Sequence, residues 1–232
     1  MPKTLPVHEM FFTFQGEGTF MGVPAFFIRL FGCPVQCPWC DSAGTWHPKW
    51  VPNHVRRMTI AEIVREADNS PANMIVITGG EPAIHNLSEL TAALHGINKE
   101  ICLETSGAFE IRGDFNWITV SPKRWKLPLK SSVERANEFK LIIESPGDIL
   151  FYLDLLRSKG LDHHARSVWL HPEWSHRADP VVLASIVGAV KSVGLFGFLR
   201  AGWQIHKLYS ADSFDNRSQP LVPLGGDPKK GM

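Results

Sequence analysis

The chain is 232 residues long and 44% hydrophobic, near the globular average, so it suits one domain with enough size to bury a substantial core. Its 24 basic and 23 acidic side chains leave a net charge of +1, which gives no polyelectrolyte argument for a nucleic-acid or membrane partner. No basic-then-apolar leader and no bilayer-length apolar run is read in it, and three of its four cysteines lie too close together for a disulfide framework, so a reducing, cytoplasmic location is expected.

Val7 to Phe14 and Pro24 to Leu30 are apolar, aromatic and β-prone, and read as strands on either side of the turn-rich Gly16-Glu17-Gly18. A cysteine loop follows. The stretch from Trp46 to Arg57, rich in Pro, His and Trp, has no period and reads as an irregular excursion. Thr59-Ile60-Ala61-Glu62 has the form of a capping box, and Ile60, Ile63, Val64 and Ala67 supply one apolar face of a helix to about Ala67. Met74 to Thr78 reads as a buried parallel strand that breaks at Gly79-Gly80-Glu81-Pro82, and Asn86-Leu87-Ser88-Glu89 caps a helix through about His95.

The alternation continues with strands Ile101 to Thr105 and Trp117 to Val120, helix Ser131 to Asn137, strand Phe139 to Ile143 and helix Asp148 to Ser158. Val168 to Leu170 is a further strand, Asp179-Pro180 starts a helix over Val181 to Val193, and Phe198 to Ile205 is the last strand. Alternating strands and helices imply right-handed βαβ units. With about six such strands, fewer than the eight of a closed barrel, an incomplete, open parallel (β/α)6-type barrel is expected over residues 1–209. Residues 210–232, with many Gly, Pro and Asp, read as an irregular or partly disordered tail.

Cys33, Cys37 and Cys40 lie in a C-x3-C-x2-C spacing within eight residues. Converging thiolates select zinc, copper(I) or an iron-sulfur cluster, and three ligands leave a fourth position open for chemistry. A zinc site completed by His47 or His54, or three unrelated core cysteines, are the plainer readings. Cys102 reads as a small buried hydrophobe in its strand. Polar clusters follow nearly every predicted strand: Gln15-Gly16-Glu17-Gly18, the cysteine loop, Gly79 to Pro82, Glu104 to Gly107, Ser121-Pro122-Lys123, Leu170 to Glu173 and Gln204 to Lys207. In a parallel barrel these ends share one rim, where such folds keep their active sites. Arg29 stands inside an apolar strand, where a charge must be paired, either with a structural partner such as Glu17 or with a ligand carboxylate. Gln204 and His206, at alternate positions, would face one side of the last strand.

The cysteine spacing resembles the signature of the radical S-adenosylmethionine (SAM) enzymes. The ordered set of motifs from about Val7 to Lys207 closely resembles the 7-carboxy-7-deazaguanine synthases of the queuosine pathway. That resemblance implies a [4Fe-4S] cluster on Cys33, Cys37 and Cys40, with SAM on its fourth iron and acting as a cofactor. It implies SAM contacts at Trp39, Cys40, Asp41, Gly80, Glu81, Ser121, Pro122, Lys123, Leu170, His171, Pro172 and Glu173. It places the substrate, 6-carboxy-5,6,7,8-tetrahydropterin, among Phe14, Gln15, Gly16, Glu17, Arg29, Thr78, Glu104 and His206, and Mg²⁺ at Ser42. A flavodoxin-like electron donor is expected, and exposed sheet edges make a homodimer plausible. Ser42 stands where many members carry Thr, residues 43–58 do not align with the family pattern, and the tail is longer than in compact members. A radical SAM activase acting on a partner protein and a non-catalytic zinc module are the competing readings.

Overall fold

A computed structural model describes residues 3–160, 166–192 and 198–209. Strand β1 (Thr4–Phe14) pairs antiparallel with β2 (Pro24–Leu30), Phe11 opposite Phe27 and Met10 opposite Ile28. On the other edge of β1 lies β3 (Arg56–Thr59), also antiparallel, with Thr4 opposite Thr59. Here the expected irregular stretch up to Arg57 is corrected, because Arg56 and Arg57 belong to this strand. Of its four residues only Met58 is buried, so no alternation betrays it.

From β2 the sheet runs on in parallel through β4 (Met74–Gly79), β5 (Glu100–Thr105), β6 (Trp117–Val120), β7 (Glu138–Ile143), β8 (Ser167–Pro172) and β9 (Leu199–Ala201). Among the described residues the order is β3-β1-β2-β4-β5-β6-β7-β8-β9, in which seven strands from β2 to β9 pair in parallel, where about six were expected, and β1 and β3 add an antiparallel edge. Among the described residues β3 and β9 do not meet, so the barrel is open as expected. Helices α1 (Ile60–Asp68), α2 (Ser88–His95), α3 (Lys130–Arg135), α4 (Pro146–Ser158) and α5 (Pro180–Lys191) fall between the strands, and α6 (Ile205–Tyr209) closes the described chain. The capping box at α1 is formed: Thr59 N donates to Glu62 Oε2 at 2.7 Å and Glu62 N donates to Thr59 Oγ1 at 3.3 Å.

Two further expectations change. The last strand stops at Ala201 instead of Ile205, and Ile205 begins α6, so Gln204 and His206 share no strand face. The reason is local to Gly202, where a Cβ would lie 2.3 Å from His171 Nε2, and the chain turns inward so that Ile205 N donates to Gly16 O at 3.1 Å. Val193 and the tail from 210 lie outside the described residues.

Strand alternation sorts the side chains into two populations. Ile28, Ile75, Ile77, Ile101, Leu103, Phe139 and Leu141 face the helices and pack with Ile63, Leu90, Leu94, Tyr152 and Leu156 in the main core. At roughly 1.5–3 kcal/mol for each fully buried large apolar side chain, this layer is the dominant stabilising element. The concave face carries a smaller apolar cluster of Phe11, Ala25, Phe27, Met74, Val76 and Cys102. One step further along β2, β4 and β5 come Arg29, Thr78 and Glu104, which with Lys140 of β7 line a cavity at the C-terminal strand ends. No helix among the described residues is long and apolar enough to cross a membrane.

Candidate active site

The cavity measures about 1050 Å³ including its open mouth. Its walls come from the ends of β1, β2, β4, β5, β6 and β7, from the cysteine loop and from the Gln204–His206 segment. One rim therefore gathers polar residues that lie far apart in the chain, as the strand-end pattern required.

Cys33, Cys37 and Cys40 all line it. Gly79 and Gly80 let the loop lie against the end of β4: a Cβ at Gly79 would stand 2.2 Å from Leu30 O, and one at Gly80 2.4 Å from Gly32 O and 2.6 Å from Cys33 Cβ. The loop is fastened further by Cys40 N to Cys37 O at 3.2 Å, Ser42 N to Cys40 Sγ at 3.3 Å and Trp125 Nε1 to Val35 O at 2.8 Å. Burial pushes the Cys37 thiol up to about 11 and the Cys40 thiol up to about 12. Thiols so placed ionise only when a cationic centre reverses that preference, which is how buried thiolates bind metal.

Among the described residues no three His, Cys, Asp or Glu side chains converge tightly enough to hold a single metal ion. Cys33, Cys37 and Cys40 share one loop on the cavity wall, a donor set of the kind that holds an iron-sulfur cluster through thiolates. His47 and His54 do not line the cavity, and His54 is exposed. Cys102 packs in the small apolar cluster and is also absent from the cavity wall.

Next to the thiols, Trp39 and Lys123 line the wall. The Lys123 ammonium sits 5.4 Å from the centre of the Trp39 ring and donates to Ser121 O at 2.6 Å and Ser121 Oγ at 2.7 Å. Burial lowers the Lys123 pKa. The Trp39 indole N–H is buried and has no hydrogen-bond partner among the described residues, a donor available to a bound molecule. Glu81 also lines the cavity, but both its oxygens are engaged. They accept from Thr105 Oγ1 at 2.5 Å, from Ala83 N at 3.0 Å, from Ser106 N at 2.8 Å and from Ser106 Oγ. It ties the end of β4 to the end of β5.

Arg29 pairs with Glu9, not Glu17: its Nε lies 2.7 Å from Glu9 Oε1, and its Nη1 donates to Ser42 Oγ at 2.8 Å. Ser42 Oγ in turn lies 3.4 Å from Asp41 Oδ1. Burial would raise the Asp41 carboxyl, but Lys207, 3.6 Å away on α6, holds it below its ordinary range. Glu17 is instead an ion partner of Lys140 and lies 4.0 Å from His171 Nδ1. Glu104 accepts from Gln15 Nε2 at 2.8 Å and lies 3.7 Å from Lys140 Nζ. Burial alone would lower Lys140, yet Glu104 and Glu17 hold it well above the ordinary lysine range; burial alone would raise Glu17, yet Lys140, His171 and His206 hold it below the carboxylate range. Both groups are therefore charged in a dry setting. His206 leans over Gly16, where a Cβ would come within 2.1 Å of its Nδ1.

Phe14, Gln15, Gly16, Glu17, Thr78, Gly80, Asp41, Ser42 and Ser121 join the residues above on the cavity wall, whereas Pro122, Leu170, His171, Pro172 and Glu173 do not. Leu170 points into the helix-facing core, His171 is fully buried behind Glu17, and Glu173 accepts from Ser175 N at 2.9 Å to close a turn. Taking the end of β8 as one block ignored its alternation. Lys140 and Glu9 were not anticipated. Lys140 carries the signal that marked Arg29, a charge between apolar neighbours in Phe139-Lys140-Leu141, and Glu9 stands with Val7 and Phe11 at the buried, every-second positions of β1.

An open, mostly parallel barrel with three cysteines at its strand-end rim has a counterpart among known families: residues 27–163 match the Radical SAM superfamily model. The chain belongs to that superfamily. It is 46% identical over 143 residues to the 7-carboxy-7-deazaguanine synthase of Synechocystis sp., covering 62% of this chain and 67% of that protein. It is 40% identical over 190 residues to the synthase of that name from Escherichia coli K12, covering 72% and 84%. The crystal structure of QueE from Escherichia coli superposes with a TM-score of 0.71 at 34% identity, over 87% of this chain and 94% of that one. Within the superfamily the chain belongs with the 7-carboxy-7-deazaguanine synthases.

Proposed function

We propose that this chain converts 6-carboxy-5,6,7,8-tetrahydropterin to 7-carboxy-7-deazaguanine with loss of ammonia. One observation carries the reading: a single cavity is lined by three cysteine thiols together with Arg29, Glu17 and Glu104. Cys33, Cys37 and Cys40 would hold the [4Fe-4S] cluster. When bound, the cluster and SAM supply the radical that removes hydrogen from the substrate. Trp39, Gly80, Ser121 and Lys123 on the adjoining wall are the SAM-facing residues in this reading, the indole N–H of Trp39 being the donor still to be satisfied.

The chain's own groups bind and orient the pterin. Arg29 presents a planar cation to the substrate carboxylate, and Glu104, braced by Gln15 and Lys140, accepts from the guanidine-like edge of the ring. Gln15, Gly16, Glu17, Thr78 and His206 complete the enclosure and exclude water. Ser42 Oγ, which accepts from Arg29 Nη1, is the oxygen that would hold Mg²⁺, and the ion would stabilise negative charge on the carboxylated substrate. A flavodoxin-like donor would deliver electrons near Trp125, which is 44% exposed and bonded to the cysteine loop at Val35. The two ends of the open sheet, β3 and β9, are the edges through which a homodimer would form. A cytoplasmic setting matches the reduced thiols the site requires.

The test is an anaerobic incubation of reconstituted protein, reductant, SAM, Mg²⁺ and the carboxylated tetrahydropterin, read by mass spectrometry. Appearance of 7-carboxy-7-deazaguanine is the expected result. Absence of product from protein with a full cluster, or zinc in place of iron and sulfide, would overturn it.

A further inference from the structure

Glu138 opens β7 on the concave face, two residues before Lys140, and is 3% exposed. Its carboxylate accepts four hydrogen bonds: from Thr19 N at 3.0 Å, Thr19 Oγ1 at 2.7 Å, Thr119 Oγ1 at 2.8 Å and Trp169 Nε1 at 2.9 Å. These donors come from three places, the turn joining β1 to β2, strand β6 and strand β8. The turn is pressed against the carboxylate: Gly18 has φ +68°, and a Cβ there would lie 2.5 Å from Glu138 Oε1.

This contact closes a gap that backbone pairing cannot. β1 and β7 lie five places apart in the sheet, so no strand ladder fixes the β1–β2 turn relative to β7. Yet the residues just before the turn, Gln15 to Glu17, line the same cavity as Lys140 of β7. The turn and the residues before it are held by Glu138 through Thr19, by Lys140 through Glu17, by Glu104 through Gln15, and by Phe20, whose ring meets Trp117 edge-on at 4.9 Å. Of these, Glu138 alone ties the turn to β6, β7 and β8 at once. Four hydrogen bonds on one buried carboxylate leave little room for another geometry.

We propose that Glu138 is a positioning residue that fixes the β1–β2 turn against β6, β7 and β8, and so backs the direct Gln15–Glu104 contact on the cavity wall. It touches neither cluster nor substrate. Its effect reaches the pterin through Thr19 and the turn, and the inference rests on the pterin reading above.

The experiment compares Glu138→Gln, Thr19→Val and Thr119→Val in the reconstituted full-length protein. Thr19 and Thr119 each donate to the same carboxylate, but only Thr19 is on the turn. Glu138→Gln should raise KM for the carboxylated pterin roughly tenfold while retaining the iron-sulfur absorbance, and Thr19→Val should shift KM the same way by a smaller factor. Thr119→Val should lower the Tm and leave KM within about twofold. Amide hydrogen exchange supplies a readout independent of turnover: residues 15–20 should exchange roughly tenfold faster in Glu138→Gln and Thr19→Val than in the native chain. If both variants lose Tm but keep native KM, or if exchange at 15–20 is unchanged, Glu138 is a packing residue only. If the native protein does not turn the pterin over, the function fails, and the exchange comparison still decides the role of Glu138. Should Glu138→Gln not fold, Thr19→Val carries the same comparison.

Discussion

Lys140 and Glu17, 123 residues apart in sequence, form a buried ion pair that joins β7 to the segment following β1. Lys140 also approaches Glu104 at 3.7 Å, so a single ammonium separates two carboxylates on the cavity wall. Removing it should be costly. In Lys140→Met two acidic side chains face each other in a dry site without their cation, and breaking a buried pair on one side costs about 3–5 kcal/mol. Thermal unfolding should show a large fall in Tm, and adding Glu17→Gln to Lys140→Met should restore part of it. Simple additivity of the two losses would mean that the pair is not energetically coupled.

Acid should weaken the fold before the carboxylates titrate. Burial depresses the His171 pKa from 6.5 to about 4, so the folded chain keeps this imidazole neutral where the unfolded chain binds a proton. Between these values the unfolded state holds more protons, and stability rises with pH. The contribution is fully present above pH 6.5 and is lost as pH falls towards 4, at most about 3 kcal/mol in all. His8, lowered to about 4 by burial and by Arg29, acts in the same direction. Urea unfolding at pH 7 and pH 4.5 should show the loss, and His171→Leu should flatten the slope between the two.

The cysteines divide three against one. Ala at Cys33, Cys37 or Cys40 should abolish iron-sulfur absorbance, since no other thiol lines the cavity. Cys102→Ala should keep iron and sulfide at native levels, with a stability loss on the order of 1 kcal/mol for the small void left in its apolar cluster. Loss of the cluster in that variant would refute the assignment.

Arg29 uses two different nitrogens of one guanidinium, Nε on Glu9 and Nη1 on Ser42. A lysine cannot span both, so Arg29→Lys should weaken pterin binding at least about tenfold, or ~1.4 kcal/mol. Native KM in the Lys variant would confine Arg29 to a structural pairing with Glu9.

Ser42 separates by conservative exchange. Ser42→Thr should retain stimulation of turnover by Mg²⁺, whereas Ser42→Ala should lose it and keep the cluster. Equal stimulation in Ser42→Ala would remove Ser42 as a ligand.

Much of this was written locally. The capping box at Thr59 and Glu62, the alternation that sets Phe27 and Arg29 on one face, and the breaking of β4 at two glycines all depend on neighbours a few residues away, and spacing alone reveals them. The same holds for the cysteine triplet, whose members share one loop on the cavity wall. Partner choice across the bore was not legible in this way. That Arg29 meets Glu9 while Glu17 meets Lys140, and that Glu138 holds Thr19, depends on strand order and on the turn crossing the concave face. The short edge strand at Arg56 and the helix at Ile205 were equally hidden, the first because only one of its side chains is buried, the second because Gly202 turns the chain towards Gly16. Periodicity determines which face a side chain takes; only the closed tertiary packing decides which distant charge it finds there, because a buried charge must be satisfied by whatever group the fold brings within reach.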